Sequence, residues 1–368
     1  MVFSAKNLFQ DKTKLAISIS GAAFALLLIL ILSGIFAGFE NQATAYISES
    51  EAQVWVMQKG VSNMHMANTM IPAALEDKIA RVPGVRRVTS ILYLSGFVRI
   101  KGIKTVSYIV GFDPNAFAGG PWDLAKGRRR PTDNQVIIDE DLAAKRGVGI
   151  GDTIKVAGRP MEIAGLSRGT FSLANTVTFV NLATMAALMQ APGQRSYFLV
   201  QLESGRSARP LARRIEHDVG GVNAMTAPAF VASERVLIKQ MGIDIINAMS
   251  VVGFIIANMV VGLTIFTATL EKSRDYGVLK AVGAARWRLY RMVFEQALIT
   301  VTLGFAVGYM LALAVRALIL RLAPEMQLAF TLGEVGKAAA AMAAIAVIAS
   351  YIPIRRVAKL DPMTVFKA

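Results

Sequence analysis

The chain contains no cysteine. Disulfides, zinc–thiolate sites, iron–sulfur clusters and cysteine nucleophiles are therefore excluded, and any part facing outward folds without cross-links. Histidine occurs only at His65 and His217, too few for an HExxH site or a His-rich metal cage; no metal site is expected. No Gly-x-x-x-x-Gly-Lys-[Ser/Thr] occurs, so this sequence cradles no nucleotide phosphate in a P-loop. Gly147-Val-Gly-Ile-Gly151 lacks dinucleotide-binding spacing and reads as a turn, and there is no Gly-x-Ser-x-Gly elbow. The adjacent carboxylates Asp139, Glu140 and Asp141 read as solvated. With these motifs missing, no catalytic residue is assigned and the chain does not read as an enzyme. Charge is also scarce: 18% of the 368 residues are charged and 54% are hydrophobic. That balance excludes an ordinary soluble protein and fits a membrane protein with a sizeable soluble part.

The apolar residues gather in four charge-free runs, 15–39, 245–270, 296–315 and 338–354. Each is read as a transmembrane helix, the last being short and Ala-rich. The first is too long for the apolar core of a signal peptide and is read as an uncleaved anchor. Gly34-x-x-x-Gly38 in the first run and Gly304-x-x-x-Gly308 in the third mark faces where a second helix can approach closely. Four spans put both termini on one side. Segments 1–14, 271–295 and 355–368 hold 13 of the 40 Lys and Arg in 53 residues, and 40–244 with 316–337 hold the other 27 in 227. Short basic segments face the cytoplasm. The expected order is a cytoplasmic N-terminus (1–14), an extracytoplasmic domain (40–244), a cytoplasmic segment (271–295), an external loop (316–337) and a cytoplasmic tail (355–368). The net charge of +15 is then in part a topology signal and needs no nucleic acid to explain it.

Residues 40–244 alternate in short runs. Strands are predicted at 53–58, 85–100, 105–112, 136–139, 153–156, 162–166, 176–181 and 196–203, and helices at 72–81 and 207–219. This is an α+β domain, read as two lobes split near Asp113 and rejoined near Ser196. Met64, His65 and Met66, with Met70, form a cluster whose residue types serve as haem axial ligands; the competing reading is methionine packing at a dimer or lobe contact. Glu49 and Glu51 follow the first span. They fit a cationic or metal-bearing substrate, and equally they are ordinary carboxylates at a helix end. Lys126 with Arg128, Arg129 and Arg130 reads as a solvated loop, or as a contact for lipid phosphate or an acidic partner.

The segment around which the chain is organised is Glu271–Arg291. It carries Lys272, Arg274, Lys280, Arg286, Arg288 and Arg291 around an apolar core of Val278, Leu279 and Val282, bracketed by Gly277 and Gly283. It is too short and too charged to span a bilayer. It reads either as a small helix on the membrane face offered to a partner, or as a basic intracellular loop. Here the sequence resembles the FtsX/MacB-like ABC transporter permeases. Glu271, Arg274, Asp275, Tyr276, Gly277, Leu279, Lys280, Ala281, Gly283 and Ala284 stand at the positions of that family's cytoplasmic coupling segment. The closing IPIRRVAKLDPMTVFKA is similar to its C-terminal tail, with a Val-Phe ending closer to the DevC and HrtB branches.

The resemblance implies a βαβ lobe with an inserted small β lobe, here about 113–196, and a multi-pass protein of the bacterial inner membrane. It implies a homodimer in contact with membrane lipid that recruits two separate ABC ATPase subunits, which hold ATP and Mg²⁺ while this chain binds no cofactor. ATP binding would move the coupling segment, with Glu271, Arg274, Tyr276, Gly277, Leu279, Lys280, Val282 and Gly283 at the contact. The implied cargo is hydrophobic or amphipathic, haem or a glycolipid, with Glu49, Glu51, Met64, His65 and Met66 as candidate ligands. A periplasmic adaptor is a possible further partner. The alternatives are a signalling permease that activates a wall hydrolase, and a lipoprotein-release permease.

Overall fold

A computed structural model of the chain describes residues 12–271 and 285–359, without 66, 68, 172–175, 324, 325 and 327, together with residues 278 and 282. The described residues form two compact units. One consists of membrane-type helices. The other is an α/β unit spanning Phe39–Met241.

The helical unit is built from four helices long and apolar enough to cross a membrane: Lys12–Ser48 (α1), Ala227–Glu271 (α6), Arg286–Leu322 (α7) and Leu332–Lys359 (α8). The charge-free runs lie within these longer helices; Arg316, Arg321, Glu334 and Lys337 sit within the helices just beyond them. Leu26, Leu30, Val261, Val293, Val301 and Ile345 are buried between the helices. Small residues set the closest approach. A Cβ on Gly304 would lie 2.5 Å from Ala22 Cβ, and one on Gly308 would lie 2.7 Å from the Ala23 carbonyl oxygen. On α1, a Cβ on Gly34 would lie 2.6 Å from the Phe330 ring, and Gly38 is buried. Backbones this close leave no room for a side chain.

Among its described residues the α/β unit has twelve strands: Val54–Gln58 (β1), Ile71–Pro72 (β2), Val85–Ile100 (β3), Ile103–Phe112 (β4), Leu124–Gly127 (β5), Gln135–Asp139 (β6), Thr153–Val156 (β7), Arg159–Ser167 (β8), Val177–Asn181 (β9), Gln194–Arg195 (β10), Tyr197–Leu202 (β11) and Val222–Thr226 (β12). Its helices are Leu75–Ala80 (α2), Glu140–Arg146 (α3), Leu182–Leu188 (α4) and Ala208–Val219 (α5). The main sheet runs β12-β1-β11-β3-β4-β9-β6-β8-β5, and β7 joins β3 to β8. Strands β3, β4, β9, β6, β8 and β7 therefore close into a ring. Its interior is filled by Val98, Ile100, Ile109, Val136, Ile138, Ile154, Val156 and Ile163.

The 16-residue β3 serves both lobes: its first part, Val85–Ile91, pairs with β11, Ile91–Ile100 pairs with β4, and Val98 and Arg99 near its end pair with β7. Strands β3 and β4 are joined by Lys101-Gly102, at φ +47° and +84°, a two-residue turn whose positive φ angles match the twist of the strands. Alternation then assigns the faces of the open sheet. Val54, Val56, Phe198 and Val200 face α2 and α5, where Ile79, Leu211 and Ile215 meet them. Trp55, Met57, Tyr197 and Leu199 face the other way, into an aromatic core.

Candidate functional site

The aromatic core takes Tyr46 from α1, Trp55 from β1, Tyr93 from β3, Phe179 from β9, Tyr197 from β11 and Phe230 from α6. Trp55 stands edge-on to Tyr46 at 5.9 Å and to Tyr197 at 5.8 Å between centroids, and lies 5.6 Å from Phe230. Such pairs add to plain area burial. The Tyr46 hydroxyl donates to the Gly119 carbonyl at 2.8 Å.

One turn beyond Phe230 on α6 stands Glu234, a fully buried carboxylate. A buried charge needs partners, and the loop after β1 provides them. The Met64 amide donates to Glu234 Oε1, and His65 Nδ1 lies 2.7 Å from Oε2. An ionised carboxylate only accepts, so the His65 proton on this side sits on Nδ1. The imidazole meets Tyr108 edge-on at 5.1 Å, and Tyr108 lies 5.3 Å from Tyr93. Burial pushes the phenols of Tyr93, Tyr108 and Tyr197 up from the ordinary tyrosine range, and the Glu234 charge pushes each further the same way. All three therefore stay protonated. Trp55 Nε1, His65 Nε2 and Tyr197 Oη are buried without a protein hydrogen-bond partner among the described residues. Buried groups of this kind as a rule bond to water or to a ligand when the protein offers nothing.

The cluster is a polar centre in an apolar core that ties an irregular loop to helix α6. Among the described residues it has no group of three metal-ligating side chains.

Of the residues singled out from the sequence, His65 is part of this centre, and the Met64 side chain is packed inside the aromatic core. Met66 lies outside the described residues. Glu49 and Glu51 are exposed and border a cleft of about 90 Å³ with Arg129, Phe117 and Trp122. Arg130 instead lines a groove of about 940 Å³ with Asp113, Asp133 and Arg195. In the coupling segment, Arg274, Tyr276, Gly277, Leu279, Lys280 and Gly283 lie outside the described residues. Glu271 ends α6. The Val282 amide donates to the Val278 carbonyl at 3.0 Å, and Val282 is 84% exposed. Sequence reading missed Glu234. Its one signal was an acid placed between Phe230 and Ile238, both of which are buried.

The family description "MacB-like periplasmic core domain" matches residues 15–218, and "FtsX-like permease C-terminal" matches residues 247–362. An uncharacterized ABC transporter permease of Mycobacterium tuberculosis is 23% identical over 367 residues, covering 100% of this chain and 99% of that protein. The macrolide export ATP-binding/permease protein MacB of Agrobacterium fabrum is 21% identical over 379 residues, covering 97% of this chain and 58% of its own length. Among solved structures, the periplasmic region of MacB from Actinobacillus actinomycetemcomitans aligns with a TM-score of 0.39 at 12% identity, covering 51% of this chain and 94% of that one. With one family domain spanning more than half of the sequence and the second following it in order, the chain belongs to the FtsX/MacB-like family of ABC transporter permeases.

Proposed function

We infer that this chain is the membrane subunit of a MacB-type exporter in a bacterial inner membrane, with both termini cytoplasmic. It works as a homodimer with two ABC ATPase subunits that supply the ATP chemistry. The observation that carries this reading is helix α6. One helix, Ala227–Glu271, holds the buried Glu234 near its start and opens directly into the coupling segment at its end. ATP binding draws the ATPases together and moves the coupling segment. The helices transmit that movement to the α/β unit, which expels a hydrophobic or amphipathic cargo, of glycolipid or haem type, without a tunnel through the membrane. An envelope adaptor would receive the cargo.

Purification with the ATPase, followed by mass spectrometry of bound small molecules and reconstitution in proteoliposomes, tests the reading. ATP-dependent movement of a co-purified amphiphile supports it. ATPase-coupled activation of a wall hydrolase, or release of a lipoprotein, with no cargo moved, replaces it with the signalling or lipoprotein-release reading. A saturable Soret shift that is lost in His65→Ala identifies haem as the amphiphile, and its absence leaves the lipid-like class.

A further inference from the structure

Three cations stand side by side across three strands of the ring. Arg99 on β3 is directly opposite Lys104 on β4 and directly opposite Lys155 on β7. Paired residues point to the same face of a sheet. Their neighbours Val98 and Val156 are buried inside the ring, so alternation turns all three cations outward, and all are exposed. None is paired with a carboxylate among the described residues. The nearest acid by register, Glu162 opposite Thr153, makes no ion pair with Lys155. Like charges directly opposite one another are destabilising, so nothing in the folding of the ring favours this row.

Directly beside the cations, toward the sheet centre, Phe97 stands opposite Val106. These apolar side chains are 54% and 57% exposed. Lys104 Nζ lies 5.7 Å from the Phe97 ring centre. The three cations and Phe97 border one concavity of about 400 Å³, closed at its edge by the Ala157-Gly158 turn; Val106 stands beside it as the cross-strand partner of Phe97. That volume lies within the range of single-molecule sites. A flat bilayer surface would need no such hollow.

The geometry points to a binding site for one anionic amphiphile, its phosphate or carboxylate held by Arg99, Lys104 and Lys155 and its apolar part laid on Phe97 and Val106. A guanidinium flanked by two ammonium groups suits an oxyanion with several acceptor oxygens. That the bound molecule is the exported cargo rests on the exporter reading; the binding itself does not.

The test uses the full chain in zwitterionic nanodiscs, with an environment-sensitive fluorophore on Ser95→Cys, an exposed neighbour on the same face. The absence of native cysteine makes that label unique. Octyl phosphate should give a saturable response that weakens as salt rises. Arg99→Glu with Lys155→Glu should weaken it by roughly tenfold or more, equivalent to about 1.4 kcal/mol. Phe97→Ser with Val106→Ser should weaken octyl phosphate but leave inorganic phosphate unchanged. All four positions are exposed, so an unchanged melting curve of the variants confirms intact folding. The proposal is overturned by no saturable response, by an equal response to octyltrimethylammonium, or by full affinity in the charge-reversed variant. Inorganic phosphate binding as tightly as octyl phosphate removes the apolar half. A response only to anionic vesicles makes the site a membrane contact instead. If octyl phosphate binds but is not transported with the ATPase present, the exporter reading of the cargo fails while the site stands.

Discussion

Glu234 and His65 are 169 residues apart in sequence and 2.7 Å apart in space. Their pairing ties the loop after β1 to the helix that runs on to the coupling segment. Removing the carboxylate strands two donors in the core. Glu234→Ala should therefore destabilise the α/β unit by about 3 kcal/mol. Glu234→Gln keeps an acceptor for the Met64 amide and should lose roughly half of that. Denaturant unfolding followed by the fluorescence of Trp55 and Trp122 measures both, and equal stability in all three proteins would rule out the tie.

The buried phenols give the unit an alkaline limit. Tyr93, Tyr108 and Tyr197 have folded-state pKa values above the ordinary tyrosine value of 10.0. The unfolded chain therefore loses protons first as pH rises. Stability from these groups is complete below pH of about 10 and is lost above it, toward the folded values. The tyrosinate absorbance of these three phenols should appear together with unfolding, as one cooperative step, and not as a gradual titration of the folded protein.

Gly308 abuts the Ala23 backbone. Gly308→Val should force α7 from α1 and destabilise the helical unit by about 1–3 kcal/mol. Unfolding in graded detergent mixtures measures it. The same change at Gly336, where an added Cβ meets nothing within 4 Å, should be near neutral.

Val282 is largely exposed, so Val282→Asp should leave the fold unchanged. If this residue docks on the ATPase, the substitution removes up to about 1.5–3 kcal/mol of apolar burial, and co-purification of the ATPase should fall by tenfold or more. Leu279→Asp should act in the same direction. Recruitment at wild-type levels in both would mark the segment as a plain basic loop.

A cysteine at Ala285 should react with membrane-impermeant maleimide in inverted vesicles and not in intact cells. Labelling from outside reverses the topology.

Much of the strand and helix order was legible because apolar alternation and the 3.6-residue period report local burial. Strand β3 was predicted with its observed ends, since Ile91-Leu92-Tyr93-Leu94 is a continuous apolar run at its middle and the buried Val98 and Ile100 alternate with exposed Phe97 and Arg99 at its end. Strand β5 was missed because LAKG is short, half polar and shifted in register against β8. Strand β12 was missed because VNAMT alternates only weakly. Helices α3 and α4 have seven residues each, too few for a period to show, although Asp139 and Asn181 cap them. Closure of the ring depends on β7 reaching β3 more than fifty residues earlier, a pairing that no local pattern encodes. Glu234 was hidden for the same reason: the loop that satisfies it comes from the far end of the domain's sequence.

The ring also imposes an order of assembly. Strands β3 and β4 form ten consecutive pairs around a two-residue turn, so this hairpin closes with almost no loop entropy to overcome. Every other partner of β3 arrives later in the chain, β7 first and β11 last. During synthesis the hairpin waits with its outer hydrogen-bonding edges open, and contacts of high sequence separation form slowly. An interruption between Asp113 and Ser196 would leave those edges unpaired, available to any extended chain nearby.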